Sequence, residues 1–163
     1  MKKVFLLLLA IGIFLPVLAQ LNPQLLKPDE ELVFTFLLKN KKRVTVAMEK
    51  DGQYIVYRFG LPAKLELEYP KNPGESSWQL FSFRGYNRGG GKANAAMSYA
   101  FLTFTNNGID YEVYDTWDSE EDAVHCGVTV TIKGKTTDLP GLVKTRKGYL
   151  LNLSDNEKIK KEE

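Results

Sequence analysis

A chain of 163 residues with 22 Lys and Arg against 20 Asp and Glu has a formal charge of only +2, too little for the sequence-independent grip on nucleic acid that many phosphate-neutralising cations provide. A single cysteine excludes an intramolecular disulfide, and a single histidine leaves too few ligands for a zinc site, so no metal or cofactor is expected and the fold must stand on its hydrophobic core.

Residues 1–19 read as a secretory signal peptide: Lys2 and Lys3, an apolar run from Val4 to Leu15, then Pro16-Val17-Leu18-Ala19 ahead of Gln20. The run is shorter than the roughly 20 residues of a membrane-spanning helix, and no second one follows. Cleavage after Ala19, no transmembrane segment in the mature chain and a periplasmic or extracellular product are therefore expected. Lys2 and Lys3 account for the whole net charge, so residues 20–163 set 20 basic side chains against 20 acidic ones. Their length suits one domain with one core, expected over 20–153. The run 154–163 is almost wholly polar or charged and is expected as a flexible tail.

After a polar lead-in containing Pro23 and Pro28, short aromatic and β-branched runs alternate with Gly, Asn, Asp and Pro, the signature of an all-β chain. Leu32 to Leu38 is a first strand candidate. Asp51-Gly52 suits a two-residue type I′ hairpin. That turn pairs Met48 with Ile55, Val46 with Tyr57 and Val44 with Phe59 on one face, leaving Thr45, Glu49 and Arg58 on the other. A connection at Gly60-Leu61-Pro62 would bring Ala63 opposite Phe59, Leu65 opposite Tyr57 and Leu67 opposite Ile55. Arg58, diagonal to Glu66, then reads as half of a surface ion pair.

Trp78 to Phe83 is the next strand candidate. A second hairpin at Asn107-Gly108 pairs Phe104 with Tyr111 and Leu102 with Val113 inward, with Thr103 and Glu112 outward. From Val124 to Ile132, alternation puts Val124, Cys126, Val128, Val130 and Ile132 on one face and His125, Thr129 and Thr131 on the other. About eight strands result. Antiparallel strands joined in sequence must hide their edges, which predicts a meander β-barrel, slightly preferred, or a two-sheet sandwich.

Three segments invite chemistry. Arg84 to Asn94, Arg-Gly-Tyr-Asn-Arg-Gly-Gly-Gly-Lys-Ala-Asn, is basic and glycine-rich. It is no phosphate loop, since Tyr86 stands where the first glycine belongs and Ala93 where a hydroxyl is needed. As a protruding loop it could set Arg84, Arg88 and Lys92 against a partner's carboxylates, with Tyr86 adding apolar area and Asn87 and Asn94 adding hydrogen bonds. The acidic run Asp115, Asp118, Glu120, Glu121 and Asp122 surrounds Trp117 and reads first as a solvated turn. A glycan hydrolase would need Asp115 and Asp118 to converge in one cleft. His125 and Cys126 are adjacent, but neighbours on a strand point to opposite faces, which opposes a base and nucleophile pair.

The hairpin Val44-Thr-Val-Ala-Met, turn, Tyr54-Ile-Val-Tyr-Arg-Phe resembles small exported bacterial β-barrel proteins such as the periplasmic C-type lysozyme inhibitors. The resemblance covers Val44 to Asn94 and implies a meander barrel in which a small-residue loop with a basic residue enters the lysozyme cleft; Gly89 to Asn94, with Lys92, is the counterpart here. No Ser stands in this loop, and the family's cysteine bridge has no counterpart in a chain with one cysteine.

The expected function is thus a non-catalytic exported binding protein that contacts a macromolecular envelope or extracellular partner through the Gly-rich loop. Lysozyme inhibition, glycan hydrolysis and carriage of a small lipophilic ligand are the alternatives. A carrier requires an apolar cavity, which a core filled by Tyr57, Phe59, Leu65, Leu67 and Phe104 would close.

Overall fold

Consecutive hairpins build two sheets in the computed structural model, which describes residues 22–91 and 94–162. The expected signal peptide and Lys92 lie outside the described residues. The first sheet pairs β1 (Glu30–Leu37), β2 (Arg43–Glu49), β3 (Ile55–Leu61) and β4 (Lys64–Tyr69) in chain order. The second pairs β5 (Ser82–Arg88), β6 (Met97–Asn106), β7 (Ile109–Asp118), β8 (Ala123–Ile132) and β9 (Lys135–Pro140). Two short strands extend them: β10 (Lys147–Gly148) runs antiparallel beside β1, and β11 (Lys160–Lys161) parallel beside β5. The sheets do not join into a closed barrel. The all-β expectation therefore resolves to its sandwich form. A 3-10 turn at Leu150–Asp155 contacts β1 of one sheet and β5, β6 and β7 of the other, so Leu150 and Leu153 fill the margin between the sheets.

Local chemistry explains the registers. Met48 pairs with Ile55, Val46 with Tyr57 and Val44 with Phe59, as the apolar pattern requires. The turn that sets this register is looser than a two-residue hairpin: only Gly52 takes a positive φ, and the Glu49 carboxylate accepts the backbone N–H groups of Asp51 and Gln53. At Asn107-Gly108 both residues do take positive φ, 52° and 74°, as a type I′ turn demands. That register also matches, with Phe104 opposite Tyr111 and Leu102 opposite Val113.

The β3 to β4 register differs from the sequence expectation. Leu61 pairs with Lys64, so Pro62 and Ala63 form the turn, and Phe59 faces Leu67 while Tyr57 faces Tyr69. The ladder shifts between Phe59 and Gly60, leaving Glu66 as the extra residue of a β-bulge. Gly60 makes this possible: its φ is +139°, and a Cβ there would lie 2.6 Å from the Lys64 carbonyl. The inner face keeps its large apolar pairs with Tyr69 in place of the smaller Leu65.

Two other expectations change. Trp78 belongs to a 3-10 turn, Glu75–Leu80, and the strand starts only at Ser82; Ser77 Oγ accepts the Gly74 N–H, and Trp78 donates its indole N–H to the Gly52 carbonyl at 3.1 Å. The charged tail folds back through residue 162 instead of fraying. Ile159 is 3% exposed in the main core, and β11 pairs with the start of β5.

The core is an aromatic cluster between the sheets. Phe104 lies 4.9 Å from Tyr57, 4.7 Å from Tyr69 and 4.8 Å from Tyr111, centroid to centroid. Outside the first sheet a smaller cluster forms. The lead-in at 22–29 crosses that face, and Leu26 packs on Ala47 and Val56.

Candidate functional site

The hairpin at Asn107-Gly108 also decides which side chains leave the core of the second sheet. With Ala100, Leu102 and Phe104 buried, alternation turns Met97, Tyr99, Phe101 and Thr103 to the outer face. The β5 to β8 registers align them in rows. Tyr86, Tyr99, Thr116 and His125 form one, Arg84, Phe101, Tyr114 and Gly127 the next, and Arg88, Met97, Asp118 and Ala123 the one beyond.

Within these rows the aromatic rings touch. Tyr86 stacks on Tyr99 at 5.4 Å and 24°, and Tyr99 lies 5.8 Å from Phe101. The Arg84 guanidinium sits 4.5 Å over the Phe101 ring and 4.0 Å from the Glu112 carboxylate, a cation–π contact on an accessible surface. Beside the rings runs a shallow groove of about 530 Å³ bordered by Arg84, Tyr99, Phe101, Thr116, Asp118 and His125. Gly127 helps to shape the neighbouring wall: Tyr114 lies across the space its side chain would take and donates its hydroxyl to Asp138 at 3.0 Å. Burial, with Asp138 accepting that hydroxyl and adding its charge, pushes the Tyr114 phenol well above its usual pKa.

The sequence-derived site residues separate into groups. Arg84, Tyr86, Asn87 and Arg88 belong to β5 itself, so the expected loop is strand as far as Arg88. Arg84 and Tyr86 face outward with Arg88. Asn87, opposite Ser98, has the other parity and does not join their row. Arg88 Nε donates to the Ala95 carbonyl at 3.1 Å, which ties the connection to the strand. Asn94 is exposed, and its carbonyl accepts the Gly91 N–H.

Asp115 and Asp118 lie on opposite faces of β7. Asp115 is 6% exposed and accepts a bidentate pair from Arg146, 2.7 and 2.9 Å, with the Leu150 N–H at 3.3 Å. It anchors the C-terminal segment and does not converge with Asp118. His125 and Cys126 likewise separate, the imidazole outward and the thiol buried. Burial, followed by the nearby Asp115 charge, pushes the Cys126 thiol up to about 11, which keeps it protonated at neutral pH. Among the described residues no three His, Cys, Asp or Glu side chains gather as a metal site, and no helix is long and apolar enough to cross a membrane.

Arg58, expected at the surface, is fully buried instead. It donates to Glu30 at 2.7 Å, to Glu68 and to the Leu25 carbonyl at 2.9 Å beneath the lead-in. The expectation missed this because the lead-in carries no strand signal, so nothing in the sequence marked it as a cover.

The outer face of the second sheet can hold a surface rich in C–H or π groups by stacking, with hydroxyl, imidazole, guanidinium and carboxylate groups beside the rings to fix orientation. Tyr99 and Phe101 escaped sequence reasoning, although the signal was present: once Leu102 and Phe104 are inward, two aromatic residues must face solvent. The chain matches no family model, no curated protein and no solved structure, and its functional reading therefore stands on this geometry.

Proposed function

We propose that this chain is a non-catalytic exported binding protein, periplasmic or extracellular, that holds a macromolecular partner on the outer face of its second sheet. The observation that carries the reading is the contiguous patch of Arg84, Phe101, Tyr99 and Tyr86, from two adjacent rows in mutual contact on a face that no other segment among the described residues covers. Surface aromatics grouped with arginine are the side chains that most often dominate binding energy. Gly89, Gly91 and Asn94, beyond the end of the same strand, then supply contacts at the rim. Export rests on the leader pattern of residues 1–19.

The test is capture from envelope and culture-medium extracts with the parent chain and a Tyr86→Ser, Tyr99→Ser variant, bound proteins and glycans being identified. A partner retained by the parent and lost by a variant of unchanged thermal midpoint supports the reading. Equal retention by both sinks it. Inclusion of a C-type lysozyme among the probes tests the inhibitor resemblance at the same time: that reading expects lysozyme to be retained and its activity to fall.

A further inference from the structure

The sandwich is open along one side. There β4 and β9 are the last strands of their sheets among the described residues, and the sheets part to leave a cleft of about 320 Å³. Its walls are aliphatic and aromatic: Val44, Phe59 and Leu67 from the first sheet, Val128, Val130 and Leu139 from the second. Phe59, Leu67, Val130 and Leu139 pack on the core yet remain only partly buried. Apolar side chains on two facing walls, left half-wet, are what an apolar guest would finish burying. Its volume falls at the small end of the roughly 300–1,000 Å³ usual for ligand sites.

One ion pair stands at this cleft. Glu66, the bulged residue of β4, is among the lining residues, and Lys42 Nζ meets its carboxylate at 2.8 Å while lying 5.5 Å from the centre of the Phe59 ring. The ammonium is thus already seated against the apolar wall. Glu66 is a third exposed and outside the strand ladder, so it can yield its place on Lys42 without breaking a backbone pair.

We propose that this cleft binds a single unbranched acyl chain, whose carboxylate replaces that of Glu66 on Lys42. The facing walls take a flexible chain, and the ammonium fixes the end that carries charge. The site is separate from the outer aromatic face, so either assignment can fail alone.

The experiment uses the full folded chain and displacement of a fluorescent fatty acid by dodecanoate, dodecanol and dodecylamine. The expected result is saturable, one-to-one displacement, tightest for dodecanoate. Lys42→Met should weaken dodecanoate about tenfold and Glu66→Gln should tighten it several-fold, both leaving dodecanol unchanged. Val130→Trp should fill the cleft and abolish binding of acid and alcohol alike. Leu139→Phe, on an edge strand that tolerates enlargement better, should weaken both if the first variant fails to fold. Absence of saturable binding, binding indifferent to the filling variants, or tighter binding of the amine overturns the proposal. Concentration-dependent dimerisation blocked by Leu139→Phe, without fatty-acid binding, would also overturn it and assign the cleft to a second copy of the chain.

Discussion

The two outer faces of this sandwich begin from similar strands and end in opposite states. On each, an arginine alternates with inward aromatic residues: Arg58 between Tyr57 and Phe59, Arg84 next to Phe83. Over the first sheet the lead-in lays Leu25 and Leu26 and brings Glu30 against Arg58, whose side chain becomes fully buried within two carboxylates and a carbonyl. Over the second no described segment does the same, and the Arg84 side chain stays 42% exposed on its aromatic ring. The difference comes from the cover, not from the strands. A buried charge needs every one of its partners, whereas an exposed one is free to meet another molecule.

The largest effect should therefore separate the two arginines. Arg58→Ala leaves the Glu30 carboxylate buried without its cation and should cost about 3–5 kcal/mol in urea denaturation, while Arg84→Ala should stay within about 0.5 kcal/mol. Similar losses at both positions would break the comparison. Acid sharpens it further. Burial alone raises the Glu30 pKa, but hydrogen bonds from Arg58 and the Lys27 N–H, with the guanidinium charge, outweigh that and hold the carboxyl below its ordinary value. A folded value below the unfolded one, about 4.3, gives stability that is complete above the unfolded pKa and is lost as pH falls through the folded one. The stability difference between the parent and Glu30→Gln should accordingly be flat from neutrality to about pH 5 and shrink below about 4.3. A difference unchanged at low pH would remove Glu30 from the buried network.

A position on the bare face should behave as if it were covered. Gly127 is buried beneath the Tyr114 ring, and a Cβ there would strike that ring and approach the Leu139 carbonyl to 2.8 Å. Gly127→Ala should cost about 1–3 kcal/mol by overpacking and, by displacing Tyr114 beside Phe101, should also weaken partner capture. A neutral effect on thermal unfolding would mean that Tyr114 does not fix this wall.

Local signals carried the strands and the central registers into the sequence reading, because a turn such as Asn107-Gly108 and an alternating run specify pairing within a few residues. The bulge at Glu66 was not legible, because the pairing it sets depends on how Tyr69 packs against Phe81 and Phe104 across the core. The choice of sandwich over barrel was equally remote, since Leu150 and Leu153 fill the margin from a 3-10 turn with no strand signal, and Ile159 joins the core from the charged segment expected as a solvated tail. For the candidate site, Arg84 and Tyr86 were legible from composition and Tyr99 and Phe101 only from parity. The buried roles of Arg58 and Asp115 were hidden because their partners, Glu30 and Arg146, lie 28 and 31 residues away.

A small expected change in stability is the one that matters most for function. Tyr99 touches Phe101 on its own strand and stacks on Tyr86 of the neighbouring one, and a cross-strand aromatic pair contributes roughly 0.2–1 kcal/mol relative to alanine. Tyr99→Ser should therefore lower stability by about 1 kcal/mol or less, because its ring is only partly buried and its loss opens no cavity in the core. If the row were merely a stabilising ladder, that loss would be its whole consequence and capture of a partner would survive. If it is a binding surface, removing the central ring interrupts the stack while the fold persists. Thermal unfolding and partner capture, measured on the same preparation, should then part company: a nearly unchanged midpoint with lost capture assigns the row to binding, and a large destabilisation with capture retained assigns it to the fold.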